Sequence, residues 1–472
     1  MGRYPVGRDR EPGGLDRSRQ KGGLNEALAA EIRQEIDQLI GDHAADSLDL
    51  EAIETAARRQ ALRIAAALIE RHINADHADY AGPHRPCPCG HSAHFAGRRT
   101  KTFTSVLGPL RLERAYYHCA HCERGYCPRD HALGLVGSSL SPGVLRMVGL
   151  VGAMVSFEEG DSLLHGLAGL DVGSKQVERS AKELGEAIDR DEREHIALPA
   201  REQIAPTMYL GVDGTGIPMR AEAVEGRAGK QPDGSAKTRE VKLCVVWSAE
   251  GRDSEGKPVR DDGSVSYSAA IESAASTDSD FSASEFAQRM LREAKRRGFA
   301  QAKRHCILGD GAGWIWKTAT DFFPDAIQIL DRYHVKQTLS SVATEIWGPN
   351  SELGQQWADE RHTELDAGNI DAIVQALKVH ASACDPARRC VGYMERNRER
   401  MRYPEFEAQG LCTSTGVVES GCNVAIGHRL KRSAMHWGLR GADAIIALRC
   451  NQLSGRFEAF WERRAERSPR AA

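Results

Sequence analysis

MYLGVDGTGIPM, residues Met208 to Met219, runs from an alternating apolar segment into Asp213 and then at once into Gly214-Thr215-Gly216. The alternation predicts a β-strand, and the glycines predict a sharp turn directly after the carboxylate. A carboxylate on a core strand is costly to bury without a partner, and a divalent cation is one such partner. An ordinary turn aspartate that bonds its own backbone is the other reading of Asp213. The choice depends on whether other segments supply further acids.

Two segments downstream do. EVKLCVVWSAE, Glu240 to Glu250, and SVSYSAAIESA, residues 264–274, are strand-like and complete an antiparallel meander with the first stretch. An amphipathic helix through Phe286 and Ala294 precedes RHCILGDGAGWIWK, residues 304–317, where a second apolar strand ends in Gly309-Asp310-Gly311. Asp310 reads either as a helix N-cap or as a second site carboxylate. Residues 326–330 form a further short strand that ends at Asp331 of Asp331-Arg332-Tyr333-His334. Residues 335–405 then read as helices anchored by Trp347, Trp357, Leu365, Ile373 and Leu377. In GLCTSTGVVESGCNVAIGHRLKRSAMHW, residues 410–437, Ser414-Thr415 can cap a helix. Val418, Cys422 and Ala425 would form its apolar side, with Glu419 buried or at the edge of a site.

Asp213, Asp310 and Glu419 thus lie among small and apolar residues, two at strand ends and one on a helix. Three such carboxylates can hold two divalent ions ~3.5–4 Å apart for in-line displacement at phosphorus. Mg²⁺, or Mn²⁺, suits hard oxygen ligands and keeps waters for a phosphate substrate. Separations of 97 and 109 residues do not by themselves bring the three together.

Upstream, residues 1–24 lack periodicity and read as a disordered tail, and 25–80 as a helical region. Its first helix would present Leu28, Ile32, Ile36 and Leu39, and its second Ile53, Ala56, Ala61, Ile64 and Leu68. Residues 84–131 carry Cys87, Cys89, Cys119 and Cys122 around an alternating stretch centred on Gly108-Pro109, the pattern of a zinc-ribbon-like module built on a hairpin. The first pair has a one-residue spacer, so Cys127 or His131 could replace a ligand of the structural Zn²⁺. Residues 138–200 read as three helices resembling a helix-turn-helix. Lys175, Gln176 and Arg179 of its last helix would face DNA, and Asp189 to Glu194 would be a solvated helix end.

The 472 residues carry a net charge of −3, with a pI of about 6.6, which excludes nucleic-acid coating by bulk charge but not a local basic face. No run of 18 apolar residues predicts a membrane span, and the first residues lack the apolar centre of a secretion signal, so a cytoplasmic location is expected. Neither glycine cluster is followed by the Lys-Ser or Lys-Thr of a phosphate-binding loop.

The segments LGVDGTGIPM, KTREVKLCVVWSAE, LGDGAGWIW, DRYHV, STGVVESGC and RLKRSAMHW together resemble the DDE transposases of bacterial insertion sequences, most closely the ISKra group, from about residue 84 to the C-terminus. The resemblance implies a multidomain α/β chain. Its ribonuclease-H-like core would span 205–334 and 406–465, with an all-helical insertion at 335–405. Asp213, Asp310 and Glu419 would be catalytic metal ligands, and His334 would lie near the site and contact DNA. Arg429, Lys431 and Arg432 are candidate phosphate contacts, or else a solvated helix end. The expected partners are element terminal inverted repeats and target DNA, bound by a homo-oligomer associated with the nucleoid. A zinc-containing DNA-binding regulator with an inactive core, and a metal-dependent nuclease without strand transfer, are the rival expectations.

Overall fold

The computed structural model describes residues 50–229, 231–272 and 284–467, together with Ala30, Arg33 and Gln34. The chain divides into two compact units, up to Pro142 and from Gly143 onward. The tail expected over residues 1–24, and Leu28, Ile32, Ile36 and Leu39 of the first expected N-terminal helix, lie outside the described residues.

In the first unit, the second expected helix is present as Leu50–Ala75. Beside it lies an antiparallel sheet in the order β1 (His84–Pro86), β2 (Ser92–Ser105), β3 (Gly108–Cys119) and β4 (Arg124–Tyr126). The predicted hairpin is real, but its two-residue turn is Val106-Leu107, and Gly108-Pro109 open β3. Alternation puts Phe103, Leu110 and Leu112 on one face, where they pack with Ala66 and Leu135. Buried Asp79 accepts from the Ala115 amide and pairs with Arg98 and Arg129, so its charge is met on each side.

The second unit is built on a five-stranded mixed sheet. Its strands are β5 (Thr207–Pro218), β6 (Thr238–Ser248), β7 (Ser266–Ala270), β8 (Arg304–Gly309) and β9 (Ile327–Leu330), in the order β9-β8-β5-β6-β7. The expected meander is β5-β6-β7, antiparallel throughout. β8 runs parallel to β5 and β9 parallel to β8. Parallel neighbours need crossovers, supplied by the helices Glu285–Arg297 and Gly313–Phe322.

One expectation about the opening stretch fails. β5 does not turn after Asp213; it stays paired with β6 as far as Pro218. The two glycines serve close packing instead. A Cβ on Gly214 would lie 2.6 Å from the Glu240 carboxylate, and one on Gly216 3.3 Å from the Thr238 hydroxyl.

Residues 335–405 are helical as expected, in Arg332–Trp347, Glu352–Asp366, Ile370–His380, Asp385–Asn397 and the start of Tyr403–Ala408. The three helices expected over 138–200 are Pro142–Met154, Phe157–Leu163 (extended by a π-turn to Ala168) and Ser174–Glu194. They belong to the same compact unit as the sheet. Gly185 lies so close to the helix Leu439–Leu453 that an added Cβ would stand 1.9 Å from the Ala444 carbonyl oxygen. The reading of Asp189 to Glu194 as a solvated end is therefore wrong for two of its acids. Asp191 and Glu192 are buried, paired with Arg463 and Arg456 at 2.5 and 3.0 Å. Among the described residues, no helix is long and apolar enough to cross a membrane.

Candidate functional site

β5 and β8 are in parallel register as far as Leu308 opposite Gly211, and Asp310 and Asp213 each follow two residues after that last pair. β8 ends at Gly309, and Asp310 begins the turn into the next helix, its carboxylate accepting from the Ala312 amide at 3.0 Å. Gly211, Asp213 and Thr215 share one face of β5. That face is covered by the helix Gly416–Gly421, which continues as a π-turn through Gly427 and ends at Leu430. Gly211 makes the close approach possible, since a Cβ there would stand 2.2 Å from Val418.

Val418, Cys422 and Ala425 are buried, as their spacing predicts, and Glu419 is exposed at the edge. The Cys422 thiol donates to Asp213 Oδ2 at 3.4 Å, while Asp213 Oδ1 accepts from the Gly214 amide at 2.6 Å. Burial raises the Asp213 carboxyl above its ordinary range, and the charge of Asp310 adds to the shift. The Gly214 and Cys422 hydrogen bonds and the charge on His334 oppose it. Burial also pushes the Cys422 thiol up, with the charges of Asp213 and Glu419 contributing. Asp213 thus senses Asp310, Cys422 and His334, and Cys422 senses Glu419.

Among the described residues, these three carboxylates do not all approach within 4.8 Å of one another. A raised carboxyl next to a second acid is a site whose charge a cation would offset.

Asp331 has a different task. It caps the helix Arg332–Trp347, accepting from the Tyr333 and His334 amides at 2.7 and 3.2 Å. Its other oxygen accepts from the Thr415 amide at 3.1 Å and from the Thr415 hydroxyl. One buried carboxylate therefore ties the His334 helix to the start of the Glu419 helix. Asp331→Ala should lower stability by about 2 kcal/mol or more, the scale of a lost cap plus a lost buried bond. Urea unfolding measures it, and a variant as stable as wild type would refute this linkage.

Tyr393 went unrecognised in the sequence. Its hydroxyl donates to the Asp310 carbonyl at 3.3 Å, and its ring sits where a Cβ on Gly311 would fall. It comes from the helical block, where the sequence shows no catalytic spacing. Cys422, read from the sequence only as part of the apolar side of its helix, lies one helical turn after Glu419 and meets Asp213.

The basic candidates separate. Arg429 is corrected: it has no exposed surface and is no phosphate contact. Its guanidinium lies over the Phe157 and Trp437 rings and donates to the Gly152 carbonyl at 3.0 Å. Burial lowers its pKa to about 10. Arg432 is paired with Glu159, whose own carboxyl that hydrogen bond lowers to about 2. Exposed Lys431 reaches the Thr215 hydroxyl, two residues along β5 from Asp213. Lys175 and Arg179 are exposed and Gln176 half-buried on the first turns of their helix.

In the first unit, the sulfurs of Cys87, Cys89, Cys119 and Cys122 all lie within 4.8 Å of one another. Cys87 to Cys122 and Cys89 to Cys119 are each 3.6 Å. Zinc–sulfur bonds of ~2.3 Å in a tetrahedron put sulfurs about 3.8 Å apart, so the four residues could hold a metal ion such as zinc. The backbone amide of His91 and the Cys87 thiol lower Cys89 to about 6, while against the Cys89 amide the neighbouring thiols and burial raise Cys87 to about 12. Cys127 is buried outside this group, at the start of the helix Pro128–Ala132, and His131 is exposed. The short spacer of the first pair is accommodated by a turn at Gly90, with φ of +85°.

Residues 92–465 match the model of an uncharacterised protein family, UPF0236. No curated protein matches the chain.

Proposed function

As a member of the UPF0236 family, the chain is, we propose, a DDE-type DNA transposase that cuts at element ends and joins a 3′-hydroxyl to target DNA. The observation that carries this reading is the placement of Asp213 on β5 and of Asp310 just past the end of the neighbouring parallel strand β8, with the helix that bears Glu419 packed on β5. The mixed sheet, an antiparallel β5-β6-β7 meander with β8 and β9 parallel beside β5, agrees with the α/β core that the resemblance implies. A helical block between the second and third acids agrees with the insertion that the resemblance implies.

Asp213, Asp310 and Glu419 would hold Mg²⁺ or Mn²⁺. Such ions lower the pKa of an attacking water or 3′-hydroxyl and offset charge on the leaving oxygen. β5 fixes Asp213, the turn after β8 fixes Asp310, and Asp331 holds the helices carrying His334 and Glu419 in step. Lys431, anchored on Thr215, offers a cation for a phosphate beside the acids. Exposed Lys175 and Arg179 offer a second basic position. The cysteine module would be held by Zn²⁺ and stay outside the chemistry, since four protein ligands leave no open position.

The test incubates purified protein and Mg²⁺ with DNA carrying the sequences that flank its coding region. Cut and joined products from wild type, and neither from Asp310→Asn or Glu419→Gln, are expected. Nicks without joining would leave a nuclease, and binding without either product would leave a regulator. Joining by both variants would remove these acids from the site.

A further inference from the structure

The π-turn between Glu419 and Leu430 lies between two sets of anchors. Upstream, Val418 is seated on Gly211, and Gly421 lies against Tyr267, Leu243 and Val245. Downstream, the Trp437 indole donates to the Leu430 carbonyl at 3.0 Å, and buried Arg429 donates to Gly152. A regular α-helix advances 100° and 1.5 Å per residue, so it cannot satisfy two independent anchor sets unless their phases agree. The wider turn over Cys422–Gly427 takes up the difference.

Something must keep that turn from closing into an α-helix, and buried Arg449 is placed to do it. Its Nε and Nη2 both donate to the Val424 carbonyl, at 3.0 and 2.5 Å. In an α-helix that carbonyl would be taken by the His428 amide. Nη1 donates to the Ala153 carbonyl at 2.7 Å. All three bonds go to backbone oxygens, a costly use of a buried cation unless the geometry it enforces is needed.

We infer that Arg449 is a positioning residue for Glu419: by occupying the Val424 carbonyl it holds the helix rotation at which Cys422 meets Asp213 and Glu419 lies at the exposed edge beside that contact. Closing the turn would shift the segment before it by one residue and swing Glu419 about 100° away. The inference rests on the catalytic role proposed above for Glu419.

The test compares full-length wild type, Arg449→Met, Arg449→Lys, Arg449→Ala and Glu419→Gln. Cleavage kcat, DNA Kd, Mn²⁺ binding by electron paramagnetic resonance and folding by circular dichroism are measured for each. Arg449→Met is expected to stay folded and to keep its DNA Kd, with kcat down roughly 100-fold, the scale of a displaced catalytic group. Mn²⁺ binding should weaken with it. Methylguanidinium should restore part of the kcat of Arg449→Ala and none of that of Glu419→Gln. If Arg449→Met does not fold, Arg449→Lys, which retains charge and donors, carries the comparison. Normal kcat and Mn²⁺ binding in a folded Arg449 variant, with Glu419→Gln inactive, would overturn the inference alone. Loss of kcat only in proportion to the folded fraction would do the same. Cleavage by Glu419→Gln, or none by wild type, would overturn the underlying reading and this inference with it.

Discussion

Asp213→Asn is expected to reduce Mg²⁺-dependent strand cleavage by about 10³-fold, while making the metal-free protein more heat-stable than wild type. The first effect follows from removing a ligand from the proposed metal site, which would supply several kcal/mol of charge stabilisation, at about 1.4 kcal/mol per factor of ten. The second follows from the direction of the Asp213 shift. Its folded pKa is raised, chiefly by burial, so folding disfavours the ionised form. The native state binds the proton more tightly than the unfolded state. Stability therefore falls as pH rises from the unfolded value through the folded one, and the deficit persists at neutral pH. Asparagine removes the charge and the deficit, and its oxygen can still accept from the Gly214 amide. Mg²⁺ should invert the ranking, because it stabilises only a chain that binds it. Thermal melts at acidic and neutral pH, in chelator and in Mg²⁺, separate these effects. The idea is sunk if the asparagine variant cleaves at the wild-type rate. It also fails if, in chelator at neutral pH, the variant melts below wild type and Mg²⁺ leaves wild type unmoved.

That trade between stability and a half-buried acid explains which parts of the site were legible in the sequence. A carboxylate on an apolar strand breaks the local pattern, so Asp213, Asp310 and Asp331 stand out against their neighbours. The break cannot say what each acid does. Asp331 proved to be a cap shared with Thr415, a role set by a contact 84 residues away. The glycines after Asp213 predicted a turn because glycine usually marks one. Here they make room for Glu240 and Thr238 on the paired strand, which no local pattern reveals. The charges from Asp189 to Glu194 looked solvated because their arginines, Arg289, Arg456 and Arg463, lie far along the chain. Arg429 misled in the opposite sense. A basic cluster reads as surface, yet Phe157 and Trp437 enclose this member from both sequence directions. Periodicity did find the buried side of the Glu419 helix, since Val418, Cys422 and Ala425 obey helical spacing. The π-turn was hidden, because it answers to Arg449 rather than to its own residues.

Removing zinc should unfold the cysteine end of the first unit while residues 143–472 keep their own cooperative transition. β1 and β4 have three residues each, too short to persist without the chain segments that carry the cysteines. Cys87 and Cys119 are themselves part of a small core with Ala93, Ala115 and Tyr117, so a lost ligand is also lost packing. Structural zinc in small domains contributes apparent binding energies of ~10–16 kcal/mol to folding, far more than this core can replace. Chelation, or Cys119→Ser, should therefore raise amide exchange across β1, the start of β2 and β4 by at least about 10³-fold, corresponding to ~4 kcal/mol of lost local stability. Purified wild type should carry one zinc per chain, and Cys89→Ser or Cys122→Ser should carry substantially less. Cys127→Ser is the informative control. Its thiol lies outside the sulfur group and burial raises its pKa, so this variant should keep its zinc. A full zinc complement in Cys119→Ser, or loss of zinc in Cys127→Ser, would reassign the ligand set. Undiminished exchange protection in metal-free protein would show instead that β1 to β4 stand on their apolar contacts alone.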